Sequence, residues 1–360
     1  MRFLRKKRPA SATPKSFWQE WLHPIAFAVV VATLVRGLFM GAFAIPTGSM
    51  EGSLLVGDRI YVSKIHYGAR LPQTPLQLPL IHQTIPGTEI SSYLDGIQWP
   101  YVRLPGLGEV ERGEVVVFNY PPEWDRPVDM KTFYVKRCVA LPGDTLQIIN
   151  KQLWVNGQRQ PPPPEGQTSY RVRTRQTVHP RVWQQHEVSD IRPTTDGYHI
   201  FTQPTTAQAL QKLPFIDEVQ EITYPPSAAS PALYPEELSL PWTPDFYGPV
   251  YLPRTGDRIV MNEFNTALYG PAIVHYEKVG ATLVDRQLRM GGKNVTTYTF
   301  QQDYYFMMGD NRHNSADSRM WGFVPEDHIA GKPLFVWFSL DEQADWWDKV
   351  RWDRLLMPIE

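Results

Sequence analysis

Twenty-one residues, Ile25–Ile45, form an apolar run broken by one charge, Arg36. As a helix rising 1.5 Å per residue they would extend about 31 Å, the thickness of a hydrocarbon core. Behind this run the pattern changes. Leu54–Tyr61 alternates apolar and polar positions and predicts a strand. Glu114–Tyr120 (EVVVFNY) and Thr132–Leu141 (TFYVKRCVAL) predict two more, stopped by Pro121-Pro122 and Pro142-Gly143 and joined as a long-looped hairpin. Thr145–Ile149 and Gln152–Val155 make a tight hairpin around Asn150 and Lys151, and Asp257–Met261, Asp303–Met308 and Lys332–Leu340 are further short strands. Trp346–Leu356 predicts a short amphipathic helix whose face serves core packing, with an interfacial membrane contact as the alternative.

The 34 prolines disfavour long helices and punctuate strands. The fold class expected is mainly β: an antiparallel β-sheet core with an inserted β-rich subdomain, preceded by one N-terminal transmembrane helix. The divisions are a basic tail (1–16), an anchor (17–44), a core in two pieces (45–157 and 303–340), an insert (158–302) and a C-terminal amphipathic tail (341–360). Four consecutive prolines, Pro161–Pro164, stiffen the entry to the insert. Leu71–Gly108, rich in Pro, reads as an ordered loop excursion. The tetrapeptide GDRI occurs twice, at Gly57–Ile60 and Gly256–Ile259, too short a repeat to indicate duplication.

Net charge is −1, so there is no overall basic field and no expectation of nucleic acid. Locally the first fifteen residues carry Arg2, Arg5, Lys6, Lys7, Arg8 and Lys15 and no acid, which keeps the N-terminus cytoplasmic and places the chain after Pro46 across the membrane. A secretory signal ending at Ala42-Phe43-Ala44 is the rival reading; the run exceeds the usual 7 to 15 apolar residues, which favours a retained anchor. Arg36 would cost about 2.5 to 3.5 kcal/mol at mid-membrane, a cost removed by snorkelling or by a span shifted towards Trp18. The single Cys138 excludes an internal disulfide, and no histidine spacing suggests a metal.

Three stretches carry candidate chemistry. Ser49 lies in the small run Thr47-Gly48-Ser49 where chain leaves the apolar segment. On the Tyr134–Cys138 strand, alternation puts Tyr134, Lys136 and Cys138 on one face and Val135, Arg137 and Val139 on the other. A desolvated lysine there would lose basicity and could take a proton from a serine. The third stretch, Gly309–Gly322 (GDNRHNSADSRMWG), concentrates Asp310, Asn311, Arg312, Asn314, Ser315, Asp317, Ser318 and Arg319 in one loop, with His313 expected at the surface.

In order, VRGLF, IPTGSM, GDRIYVSK, YVKRCVALPGD and MMGDNRHNSADSRMWGFVP resemble the boxes of bacterial type I signal peptidases, over about Val35–Gly68, Glu114–Gly157 and Asp303–Leu340. That resemblance implies a membrane-anchored serine endopeptidase acting on signal peptides of exported preproteins. Ser49 would be nucleophile and Lys136 general base, with Thr47 and the Ser49 backbone N–H as oxyanion hole. Ser315 would hold the Lys136 amine, and Asp317 and Arg319, with Asp310 and Arg312, would brace the site. Phe43, Ile45, Met50, Leu54, Tyr134 and Val135 match substrate-groove positions. No cofactor is implied. The partners implied are signal peptides and the lipid bilayer of the bacterial inner membrane, with a monomer acting on its outer side. The chain departs from the family pattern at Gly52 and Ser53, where Pro and Thr are usual, and at Cys138 and Ala140. The alternative is a catalytically inactive, membrane-tethered β-scaffold that binds peptides.

Overall fold

The computed structural model describes residues 17–226, 233–341, 344 and 347–360, so the basic tail lies outside the described residues. Helix α1 (Phe17–Leu34) continues through a wider π-turn at Val35–Phe39. The segment Glu20–Phe39 is apolar and, at about 30 Å, long enough to cross a membrane, and none of it is buried against the rest of the chain. The helix therefore stops short of Ile45. Arg36 sits in its last turn and donates to the Leu80 carbonyl at 2.9 Å, so a span centred nearer the N-terminus leaves this charge at the boundary.

Met40–Ala44 is instead a strand, β1, paired antiparallel with β2 (Asp58–Ser63), with Ala42 opposite Tyr61. The Ala-Phe-Ala sequence that resembled a cleavage site is thus built into the sheet. Strand β2 begins four residues later than alternation predicted, because Leu55–Asp58 forms a turn. Asp58 N–H donates to the Leu55 carbonyl, Leu55 N–H donates to the Asp58 carboxylate, and Gly57 takes φ +93°. The same turn opens β3 (Val115–Asn119) with Gly113-Glu114, β5 (Thr145–Ile149) with Gly143-Asp144, and the strand Arg258–Val260 with Gly256-Asp257. The repeated GDRI is two copies of this local device, in which glycine supplies the left-handed turn and the acid satisfies a backbone donor.

The expected hairpin is present: β3 and β4 (Phe133–Ala140) pair with Val116 opposite Lys136. The main sheet runs β1, β2, Ile329–Ser339, β3, β4, Tyr304–Met308, Val324–Pro325, all antiparallel, with Met357–Pro358 added beside Ile329–Ser339. Strand β5 pairs with β6 (Gln152–Val155) on one side and with Phe246–Tyr251 on the other. One core lies under β1–β3, built from Ile45, Met50, Leu54, Ile60, Val117 and Val336. A larger one joins β4–β6 to the helix Glu263–Tyr276 through Leu146, Tyr247, Leu268, Ile273, Phe306 and Phe323.

The insert is not uniform. Residues 168–221 form a four-stranded sheet with two short helices and their own core of Val172, Trp183, Ile200 and Leu210. The second half, from Phe246 onward, shares the core of the main body, and its helix was not legible because its apolar positions surround the helix. At the C-terminus, residues 347–356 do not form the predicted helix. Val350 bridges to Leu340, Trp352–Arg354 makes a single turn, and Arg354 pairs bidentately with buried Asp58. That ion pair holds the tail extended along the sheet.

A Cβ on Gly57 would lie 1.9 Å from the Leu340 carbonyl oxygen, whereas one on Gly113 would meet nothing within 4 Å, at similar positive φ. Gly113→Ala should cost about 1 to 2 kcal/mol from backbone strain alone. Gly57→Ala should cost clearly more, read as a larger shift of the urea midpoint; equal shifts would contradict the turn geometry.

Candidate active site

The turn Gly48–Met50 carries Ser49, and two contacts from the polar loop hold it. Asn311 N–H donates to the Ser49 carbonyl and Asn311 Nδ2 to the Gly48 carbonyl, each at 3.2 Å. Gly309 comes so close that a Cβ would stand 2.2 Å from Ser315 Oγ and 2.5 Å from the Ser49 carbonyl oxygen, so only glycine fits there. Lys136 projects from the middle of β4. Its neighbours follow the expected alternation, with Tyr134 and Cys138 in one core cluster and Val135 in the other. Lys136 Nζ donates to Ser49 Oγ at 2.7 Å and to the Val135 carbonyl at 2.9 Å, and stands 5.3 Å from the centre of the Tyr134 ring.

Burial lowers the Lys136 amine from 10.5 to about 8, against the opposing pull of Asp317 and Asp310. Lowered basicity does not by itself distinguish this residue, because burial also brings Lys64 and Lys131 to about 8. The partners do. Lys64 donates to the Gly37 carbonyl; Lys131 donates to the Pro121 carbonyl and lies 3.0 Å from His328 Nε2. Among the described residues, Lys136 alone of the three faces a serine hydroxyl.

Around this contact lies a cavity of about 460 Å³ that includes Thr47 and is walled by Phe43, Ile45, Phe133, Tyr134 and Val135. Of the predicted groove residues, Phe43, Ile45, Tyr134 and Val135 line it. Met50 and Leu54 are 1 % and 0 % exposed and belong to the core behind it. Asn314 of the polar loop also lines the cavity, as do Phe133 and Ala316, which nothing in their local sequence marked.

The bracing differs from expectation in its partners. Asp317 and Arg319 do pair, through two hydrogen bonds of 2.9 and 2.7 Å, both residues buried. Burial opposes the charged form of Asp317, and the Arg319 guanidinium outweighs it and holds the carboxyl below its ordinary value. Asp310 pairs with Arg137, not with Arg312: Arg137 Nη2 reaches Asp310 Oδ2 at 2.6 Å and its Nε reaches Oδ1 at 2.9 Å. Arg137 lies 173 residues from its partner in sequence, which hid the pairing. Arg312 contributes backbone contacts, its carbonyl accepting from Arg319, while burial lowers its guanidinium to about 10. Ser315 Oγ makes no bond to Lys136 and is buried against Gly309. The Val135 carbonyl steadies the amine in its place.

His313 is not at the surface. Its side chain is 1 % exposed, with Nε2 2.7 Å from Asp245 Oδ1 and Nδ1 2.6 Å from Ser169 Oγ. Ser169 N–H also points at Nδ1, which makes that nitrogen the acceptor and assigns the proton to Nε2. Gly52 and Ser53, the two departures from the family pattern that follow Ser49, have partners as well. Ser53 Oγ donates to Asp310 at 2.6 Å, and Gly52 lies under the Glu165 carbonyl, where a Cβ would stand 2.2 Å away.

The sequence profile described as "Signal peptidase, peptidase S26" matches residues 18–201 and 254–338, well over half of the chain. The chain belongs to this family. It is 26 % identical to Signal peptidase I of Helicobacter pylori strain J99 over 386 aligned residues, covering 100 % of this chain and 96 % of that protein. Signal peptidase I of Rickettsia rickettsii is likewise 26 % identical, over 94 % of this chain and 85 % of that protein. Signal peptidase I of Buchnera aphidicola from Schizaphis graminum is 24 % identical over 91 % of this chain and 76 % of that protein. Signal peptidase membership makes the chain a peptidase, and the residues just described are where its chemistry is to be sought.

The buried Lys136 amine should leave an energetic signature. Its basicity falls from 10.5 to about 8 on folding, so between those pH values the unfolded chain binds more protons and stability rises with pH. Lys136→Met removes the buried charge. It should raise the unfolding free energy at pH 7 by up to about 3 kcal/mol and make the rise between pH 8 and 10.5 shallower. A destabilised Lys136→Met in chemical denaturation would contradict burial of a strained amine.

Proposed function

We propose that the chain is a membrane-anchored endopeptidase that removes signal peptides from exported proteins by a Ser49/Lys136 mechanism. The observation that carries this is the 2.7 Å contact between a desolvated lysine amine and a serine hydroxyl beside a cavity. With Lys136 neutral, its nitrogen takes the Ser49 proton as Oγ attacks the scissile carbonyl. The tetrahedral oxyanion is met by the Thr47 hydroxyl and the Ser49 N–H. Lys136, now an ammonium, returns its proton to the leaving amine, which leaves an acyl ester on Ser49. Water then attacks that ester as Lys136 takes one of its protons, and Lys136 passes that proton to Ser49 Oγ as the acyl–oxygen bond breaks and the product carboxylic acid leaves. No histidine takes part.

The substrate lies extended between β1 and β4, adding main-chain hydrogen bonds to the strands, with alternate side chains entering the cavity. Walls of Phe43, Phe133, Tyr134 and Val135, with Phe43 and Phe133 rings 4.8 Å apart, leave room for small side chains. Alanine one and three positions before the cut follows from that shape. The apolar segment Glu20–Phe39 supports anchoring in the bacterial inner membrane, and a cytoplasmic basic tail sets the catalytic side outward, where substrates emerge. One copy holds every group the reaction uses.

Cleavage of a model preprotein by the full chain in detergent tests the reading. Ser49→Ala and Lys136→Ala should each lower kcat by at least about 10³-fold while the protein stays folded. Wild-type kcat/KM should rise about tenfold per pH unit below about 8 and level off above it, as the base loses its proton. Full activity in either variant, or a profile flat from pH 6 to 9, would refute the assignment.

A further inference from the structure

A second cavity, of about 350 Å³, opens beside the first on the side of the membrane helix. Phe43 and Phe133 line both, so one layer of aromatic rings separates them. Its outer wall is Thr33, Arg36 and Gly37 at the end of the apolar span, and its floor holds Lys64, Arg70, His82 and Asp129. The excursion that closes it presents Leu76, Leu78, Leu80 and Trp99, all between 44 % and 56 % exposed. Apolar side chains left in solvent beside a membrane span form a surface that a bilayer would cover.

The charges are unbalanced. Arg36, Lys64 and Arg70 form no ion pair with any acid among the described residues. Asp129 is the single carboxylate in the lining, and its oxygens already accept from Gln73 N–H, Thr74 N–H and Thr74 Oγ. Arg70 is committed to Asn119 Oδ1 and the Asp327 carbonyl. Lys64 gives one bond, to the Gly37 carbonyl, and Arg36 gives one, to the Leu80 carbonyl, so both keep donors for a ligand. Two cations with spare donors, backed by a third and set where chain leaves the bilayer, suit an oxyanion with an apolar body.

We propose that this cavity binds the phosphate of an anionic phospholipid headgroup, with Arg36 and Lys64 as its ligands and the Leu76–Leu80 excursion against the acyl chains. The inference rests on the membrane anchoring proposed above and goes beyond it. A lipid held there pins the floor of the peptide cavity at a fixed height over the membrane, one ring layer from Ser49.

The test uses the full chain in neutral detergent, titrated with short-chain phosphatidylglycerol and followed by the ³¹P resonance. Saturable binding is expected for wild type, weakened at least tenfold in Arg36→Gln/Lys64→Gln and recovered in the charge-retaining Arg36→Lys/Lys64→Arg. The thermal midpoint and circular dichroism report that the variants fold. Phosphatidylcholine, which has the phosphate but no net charge, should bind more weakly. Inorganic phosphate that competes at the same concentration as the lipid would reassign the site to a soluble anion and overturn the lipid assignment. Undiminished phosphatidylglycerol binding by the Gln variant would overturn the site itself. Flotation with phosphatidylcholine vesicles tests the anchor separately, so a chain that floats without binding phosphatidylglycerol refutes this inference and leaves the anchoring intact.

Discussion

An ammonium in an apolar sheet is unfavourable, and the architecture around Lys136 can be understood as what it takes to keep it there. Strands β3 and β4 bury its stem, the Val135 carbonyl and Ser49 hydroxyl occupy its donors, and the lack of a close carboxylate lets its basicity fall to about 8. The acids nearest in the network are spent on arginines: Asp310 on Arg137 and Asp317 on Arg319. Had either paired with Lys136 instead, the amine would hold its proton more tightly and a far smaller fraction of it would be neutral near pH 7.

Those two ion pairs are buried, so their value is positional more than energetic. Arg137 is the residue after Lys136, so its hold on Asp310 sets the polar loop against β4. Through Asn311 the loop sets the Ser49 turn. The insert adds a second tie. Gln167 exchanges backbone bonds with Asp310 and Arg312, and Ser169 and Asp245 hold His313 between them. A segment outside the recognisable boxes thus grips the loop from behind, and its stiff proline entry brings the Glu165 carbonyl down on Gly52.

The end of the apolar span follows the same economy of charge. Arg36 ends the apolar span and is placed where it meets backbone and solvent, with the transition from helix to β1 following within five residues. Because β1 is both the continuation of the apolar helix and a wall of the Ser49 cavity, the distance between the span and the cavity is set by covalent chain. In the reading proposed here, that suits substrates that are still embedded when cut.

Sequence by itself determined whatever depends on neighbours along the chain. Length and polarity specified the apolar span, prolines and glycines bounded β3, β4, β5 and β6, and alternation put Lys136 with Tyr134 and Cys138. Ordered boxes singled out Ser49 and Lys136. Tertiary structure alone decided the end of the helix, since Met40–Ala44 is as apolar as what precedes it and becomes a strand only because β2 offers its edge. It also decided that Arg137 and not Arg312 holds Asp310, that His313 is buried, and that the C-terminal tail is extended by Arg354 and Asp58. Each of these is a contact between residues far apart in sequence, whose energy exists only once the sheet has closed.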